Sequence, residues 1–346
     1  MSVSYRAVGW NRQKIIYDII LIGAVIAYIW LFVAVSQWFS ADVELRSLRI
    51  RAYGSAAFIL LHVILSIGPL CRLNRKFLPL LYNRRHLGVT MFCLSAYHFR
   101  LALTWYHDFG NLDPLVSLLV GNSNYGSFVR FPFEILGLIA LIILFLMAAT
   151  SHDFWLHNLT APMWKALHMM VYVAYGLLVG HVVLGALQSN PHPFLTIVVG
   201  AGLIWITVIH LVAALQETKL DRPSNVAVED DFVEVATVGE IPENRAKIVT
   251  LAGERVAIFK YDGKIAAISN VCQHQNGPLG EGKFIDGCIT CPWHGYQYLP
   301  ENGCSPPPFT EKVPTFNVRL EGERIFVKTT PNPAGTPVTP AVIGES

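Results

Sequence analysis

Six apolar blocks, each about 20 residues long, fill the chain before Leu215 and constrain it more than anything else in the sequence. A helix of about 20 residues crosses a bilayer core, so residues 17–38, 52–73, 86–106, 131–149, 164–187 and 194–216 read as transmembrane spans. Lipid leaves every backbone polar group to be satisfied internally, which selects a helical bundle. Hydrophobic residues make up 53% of the chain and charged residues 14%, too apolar a balance for a soluble protein. The first block has an apolar core longer than that of a cleaved leader, so it reads as a span. A net charge of +2 with no basic cluster outside the membrane flanks excludes a nucleic-acid binder.

Basic residues gather in alternate loops. One set holds Arg72, Arg75, Lys76, Arg84 and Arg85 with Arg6, Arg12, Lys14, Lys165, Lys219 and Arg222; the other holds Arg46, Arg49, Arg51 and Arg130. The richer set is cytoplasmic by the positive-inside rule. Six spans then place both termini in the cytoplasm of a multi-pass plasma-membrane protein. The last third follows them there, and the 107–130 loop faces outward.

Beyond a linker at 217–230 the pattern changes to short alternating runs, FVEVATV, RAKIVTLA, RVAIFKYDGKIAAIS and FNVRLEGERIFVKT, with hairpin turns at Tyr261-Asp-Gly-Lys264 and Glu321-Gly-Glu323. A small all-β domain is expected over 231–330, ahead of a flexible tail at 331–346. Two of its loops carry Cys272, His274, Cys291 and His294, each pairing one Cys with one His at ligand spacing. Those donors suit structural zinc or a [2Fe–2S] centre with mixed ligation. Zinc fingers ordinarily separate the Cys pair from the His pair, which this sequence does not do.

The segment resembles the Rieske family through Cys272-Gln-His274, Gly277-Pro-Leu-Gly280 and Cys291-Pro-Trp-His294-Gly295. The resemblance implies that the cysteines hold one iron and the histidines the other. Respiratory Rieske domains have a disulfide pair where this chain has Gly277 and Trp293, and a hydroxyl donor where it has Tyr296. The resemblance is therefore to the ferredoxin or oxygenase-associated branch, with fewer hydrogen bonds to sulfur and a lower potential. Cys288 and Cys304 read as packed or free thiols.

Ionisable side chains at membrane depth are functional candidates, here His62, His86, His98, Arg100, His168, His181 and His210. His168 and His181 lie about 20 Å apart along one helix, and His86 and His98 about 18 Å apart along another. Both helices run outward, so His86 is level with His168 and His98 with His181, two levels at which paired imidazoles could hold haem. These spans resemble the ferric-reductase-like transmembrane family through Arg85-His-Leu-Gly88 leading to His98, and Leu167-His168 with Tyr172 leading to His181. The resemblance implies one or two b-type haems, with His98 and His181 on the outer haem and His168 on the inner one opposite His86. His86 lies closer to His98 than two-haem members show, so His62 and His210 stand as substitutes. Arg100 is a candidate partner for a haem propionate.

The expected protein is a six-helix transmembrane bundle followed by a Rieske domain, an oxidoreductase passing single electrons between cluster and haem toward an acceptor across the membrane. With no Gly-x-Gly-x-x-Gly after a strand, its reductant would come from another protein or a quinol. The alternatives are a Rieske-fed membrane oxygenase, with His152, Asp153 and His157 as a weak local group, and a haem-free anchored ferredoxin.

Overall fold

The computed structural model describes residues 12–39, 42–77, 80, 84–151, 155, 159, 161–189, 193–220, 231–274, 277–292 and 295–344. His294, the group at His152, Asp153 and His157, and linker residues 221–230 lie outside the described residues.

The helices are α1 (Arg12–Phe39), α2 (Leu45–Leu73), α3 (Arg84–Tyr106), α4 (Pro114–Val120), α5 (Phe133–Ala149), α6 (Ala161–Met169), α7 (Val171–Val182) and α8 (Pro193–Leu220). A π turn, Val183–Leu187, extends α7. All six expected blocks are helical, but among the described residues four stretches are both long and apolar enough to span: Lys14–Phe39, Leu45–Leu73, Met163–Leu187 and Pro193–Gln216. Six spans are not confirmed, because the other two helices fall short for physical reasons. Arg84, Arg85, Thr90, Ser95, His98 and Arg100 dilute the apolar character of α3. Helix α5 has 17 residues, about 25 Å of rise, short of a core about 30 Å thick.

Helix α2 is the axis of the bundle. Its Leu61, Ile64 and Leu65 pack with Met91 and Leu94 of α3, Ala140 and Leu144 of α5, Ala174 and Tyr175 of α7, and Val199 and Ile206 of α8. Helix α1 lies outside, with Ile19 and Trp30 about two-thirds exposed, as a lipid-facing helix would be. In the 107–130 loop, α4 starts at Asp113, whose carboxylate accepts from the Leu115 and Val116 amides.

The strands are β1 (Phe232–Thr237), β2 (Arg245–Leu251), β3 (Glu254–Tyr261), β4 (Lys264–Ser269), β5 (Lys283–Ile285), β6 (Cys288–Thr290), β7 (Gln297–Tyr298), β8 (Thr315–Phe316), β9 (Val318–Glu321), β10 (Arg324–Lys328) and β11 (Ala341–Val342). They form sheets β1-β10-β9, β11-β4-β3-β2 with β8 beside β4, and β5-β6-β7. Both expected hairpins form, β3 to β4 and β9 to β10. Asp262 and Gly263, at φ +46° and +69°, supply the left-handed pair that a two-residue turn requires.

Strands β3 and β4 are buried on both faces. Val256, Ile258 and Ile265 join Val233, Phe316 and Ile325 in one core. The alternate residues Ala257, Phe259, Ala266 and Ile268 pack with Leu279, Ile289, Tyr298 and the ligand-spaced Cys272 and Cys291 in the other. The segment expected as a flexible tail is instead part of the sheet. Ala341 pairs with Ile265, Ile343 N–H donates to Gly263 O at 2.9 Å, and Val338 N–H donates to Glu301 O at 2.6 Å. Strand β4 would otherwise present bare backbone groups there, and β11 satisfies them.

Candidate metal centre and histidine pairs

The first cysteine loop leaves β4 and folds back on itself. Cys272 N–H donates to Gly277 O at 2.9 Å, and Gly280 N–H to Asn270 Oδ1 at 2.7 Å. Gly280 is required by close approach, because a Cβ there would stand 2.5 Å from Ile248 and 3.0 Å from Ala257. The second loop joins β6 to β7. It is closed by Cys291 N–H to Tyr296 O at 2.7 Å and turns at Gly295, φ +72°.

Cys272, His274 and Cys291 are all essentially buried, at 1–2% exposure. Burial first, then His168 and Arg85, hold the His274 imidazole down to about 4, keeping it in the neutral form that binds metal. Its ring lies between Tyr296, stacked at 5.1 Å and 8°, and Trp164 at 4.7 Å. The Tyr296 hydroxyl donates to Glu311 Oε2. Among the described residues no three His, Cys, Asp or Glu side chains converge on one ion. A two-iron cluster takes its ligands in pairs, and Cys272, His274 and Cys291 fit it by donor type, burial and the meeting of their loops at Tyr298.

Tyr298 was not foreseen from the sequence. Its oxygen accepts from Gln273 N–H at 3.0 Å and stands 3.5 Å from Cys272 Sγ. With that lone pair occupied, the O–H is free to donate to the sulfur. Burial and then the neighbouring Cys272 raise the phenol well above its ordinary range, so the proton stays in place. Tyr298 thus supplies one hydroxyl beside a ligand sulfur, at a position other than Tyr296. The aromatic pair Tyr296 and Tyr298, two residues apart just after the second ligand loop, was the signal that could have found it. Cys288 is fully buried in β6, and Cys304 is half-buried.

In the helices, the structure brings His98 and His181 together, their ring centroids 6.4 Å apart and their planes at 86°. His98 Nδ1 donates to Ile50 O and His181 Nδ1 to Phe133 O, both at 2.9 Å, which leaves each Nε2 as the available nitrogen. A metal–imidazole bond is about 2 Å, so two imidazoles across one iron have centroids about 6 Å apart. The pair fits an iron between them.

His168 Nδ1 donates to Trp164 O at 3.0 Å, and its Nε2 is buried with no hydrogen-bond partner. That orphaned nitrogen also fits a metal. His86 Nδ1 instead pairs with Asp18 at 2.8 Å. His62 and His210 use both nitrogens: each Nδ1 donates 2.8 Å to a carbonyl of its own helix, and the hydroxyls of Tyr175 and Tyr172 reach their Nε2 atoms at 3.0 and 3.1 Å. Arg100 is exposed. Near it, Arg46 donates to Thr104 Oγ1 at 3.1 Å and lies over Trp105.

The two halves meet through Trp164, which no sequence signal distinguished. Its indole stacks on His168 at 3.5 Å and 19°, touches His274 on the other side, and donates from Nε1 to Thr150 O at 3.1 Å.

Comparison with known proteins agrees with this division. The model of the Rieske [2Fe-2S] domain matches residues 231–317, and that of the ferric reductase like transmembrane component matches residues 52–179. The biphenyl dioxygenase ferredoxin subunit of Pseudomonas sp. (strain KKS102) is 32% identical over 99 residues, 28% of this chain and 90% of that protein. Cholesterol 7-desaturase nvd of Xenopus laevis is 37% identical over 79 residues, 22% of this chain but only 17% of the desaturase. The ferredoxin of carbazole 1,9a-dioxygenase from Nocardioides aromaticivorans IC177, a solved structure, is 25% identical over 29% of this chain and 98% of its own, with a TM-score of 0.27.

The C-terminal domain is therefore a Rieske [2Fe–2S] domain, and through it the chain belongs to the Rieske family. It follows a ferric-reductase-like transmembrane component.

Proposed function

We propose that this chain is a membrane oxidoreductase that passes electrons one at a time between its Rieske cluster and b-type haem held by its helices, toward an acceptor across the membrane. The carrying observation is the contiguous stack His274, Trp164, His168, which joins a cluster ligand to a buried histidine of the bundle. Cluster and haem, when bound, supply one-electron exchange. His98 and His181 would hold one haem through Nε2, and His168 a second with His86 as its partner. The Trp164 indole, fixed by its bond to Thr150 O, keeps the two aromatic ligands in register and excludes water between them. Read by the positive-inside rule, the basic loops would put the Rieske domain in the cytoplasm, within reach of a reductase protein; a quinol in the membrane is the other donor.

The test is the reduced-minus-oxidised spectrum of the purified chain, with haem, iron and acid-labile sulfide counted. A b-type α band beside the cluster signal is expected, and His98→Ala and His181→Ala should remove the same haem component. A native chain with cluster but no haem would overturn the reading.

A further inference from the structure

His98 and His181 are held by one device built twice. His98 on α3 donates to the carbonyl of Ile50 on α2, and its ring lies over Gly54, one helical turn further along. His181 on α7 donates to the carbonyl of Phe133 on α5, and its ring lies over Gly137, again one turn further. Donor and acceptor are 48 residues apart in both cases. Ile50, Gly54 and His98 map onto Phe133, Gly137 and His181 by one constant shift of 83 residues.

The glycines are the sterically critical element. A Cβ at Gly54 would stand 2.9 Å from both Nδ1 and Cε1 of His98, and one at Gly137 would stand 2.8 and 2.9 Å from the same atoms of His181. Both lie inside contact distance, against rings already pinned by a hydrogen bond, so any side chain must turn or displace the imidazole. Neither glycine is needed for a turn, because both lie within helices, where glycine costs about 1 kcal/mol relative to alanine. That cost points to a function in the ring's position.

We propose that Gly54 and Gly137 are positioning residues. Each opens a flat notch in which the carbonyl fixes the Nδ1–H tautomer and the missing Cβ fixes the ring plane, so that two Nε2 atoms face one iron with their planes crossed. The proposal rests on the reading that His98 and His181 share a haem. Fixing a ligand ring through its second nitrogen sets both its orientation and its basicity.

The experiment uses the full chain in detergent, with haem content, visible spectrum and electron-resonance anisotropy of the low-spin haem as readouts, and the Rieske signal as the check on folding. Crossed imidazole planes give a more anisotropic low-spin signal than parallel planes. Gly54→Ala and Gly137→Ala should each shift this signal toward lower anisotropy or convert the site to high spin, whereas Gly176→Ala, where an added Cβ meets nothing within 4 Å, should not. A second arm needs no glycine variant. In His98→Gly, added imidazole should restore the native anisotropy, while N-methylimidazole, which has no N–H for the Ile50 carbonyl, should bind the haem with altered anisotropy. If His98→Ala and His181→Ala retain the full low-spin haem, the shared-haem reading itself fails. If those variants lose it but both glycine variants, or both imidazoles, give the native signal, the notch proposal fails alone.

Discussion

Removing the Tyr298 hydroxyl should lower the potential of the Rieske cluster by about 40 mV. The oxygen lies 3.5 Å from Cys272 Sγ, and its own acceptor position is filled by Gln273 N–H at 3.0 Å, so the proton points at the sulfur. Reduction adds negative charge to the cluster. Hydrogen bonds to charged groups are worth about 1.5–3 kcal/mol against about 0.5–1.5 kcal/mol for neutral ones. The bond therefore favours the reduced state by about 1 kcal/mol, which for one electron is about 40 mV. Tyr298 is fully buried, so no water takes the hydroxyl's place in Tyr298→Phe. The same variant leaves the Gln273 amide without its acceptor and should lose about 1–3 kcal/mol of stability. The assay is a redox titration followed by electron resonance. An unchanged or raised potential in a variant with a full cluster signal would refute the reasoning.

Trp164→Leu removes the ring between His168 and His274 and should slow electron exchange between cluster and haem while leaving both midpoint potentials in place, as rapid mixing under anaerobic conditions would show; undiminished exchange would contradict the stack as the route. Gly280→Ala forces a Cβ against Ile248 and Ala257 and should destabilise the Rieske domain by about 1–3 kcal/mol, read as a lower unfolding temperature. Burial, followed by Glu301 and Asp286, pushes the Cys288 thiol up to about 11 from 9.0. The unfolded thiol thus ionises first, and this contribution to stability is complete below pH 9 and lost between about pH 9 and 11. Cys288→Ala should flatten that alkaline decline, and an unaltered pH profile would show that Cys288 does not set it.

What the sequence made legible was local, and what it hid depended on tertiary contact. The Tyr261-Asp-Gly-Lys264 turn announces its hairpin because Asp262 and Gly263 must take positive φ whatever surrounds them. The Cys-x-His and Cys-x-x-His loops are equally self-contained. The β11 pairing was not: Ala341 meets Ile265 across most of the domain, and a Pro-rich segment gives no alternation to predict it. The histidine pair lies between these cases. Rise per residue puts His98 and His181 at one level, and their rings lie 6.4 Å apart, but a straight-helix projection from His168 to His181 does not put each pair on one stripe, and the helix is not straight there: α6 ends at Met169 and α7 begins at Val171, with Met170 between them at ψ −10°. That break lets His168 turn toward Trp164 and the Rieske domain while His181 turns toward α5 and His98. One apolar block thereby presents two histidines to two different neighbours, an arrangement that one uninterrupted helical phase would not provide. The glycine notches escaped for the same reason. Gly54 and Gly137 are ordinary residues of apolar helices until the facing helix brings an imidazole within 3 Å of the missing Cβ, so their meaning resides in the contact and in no sequence window.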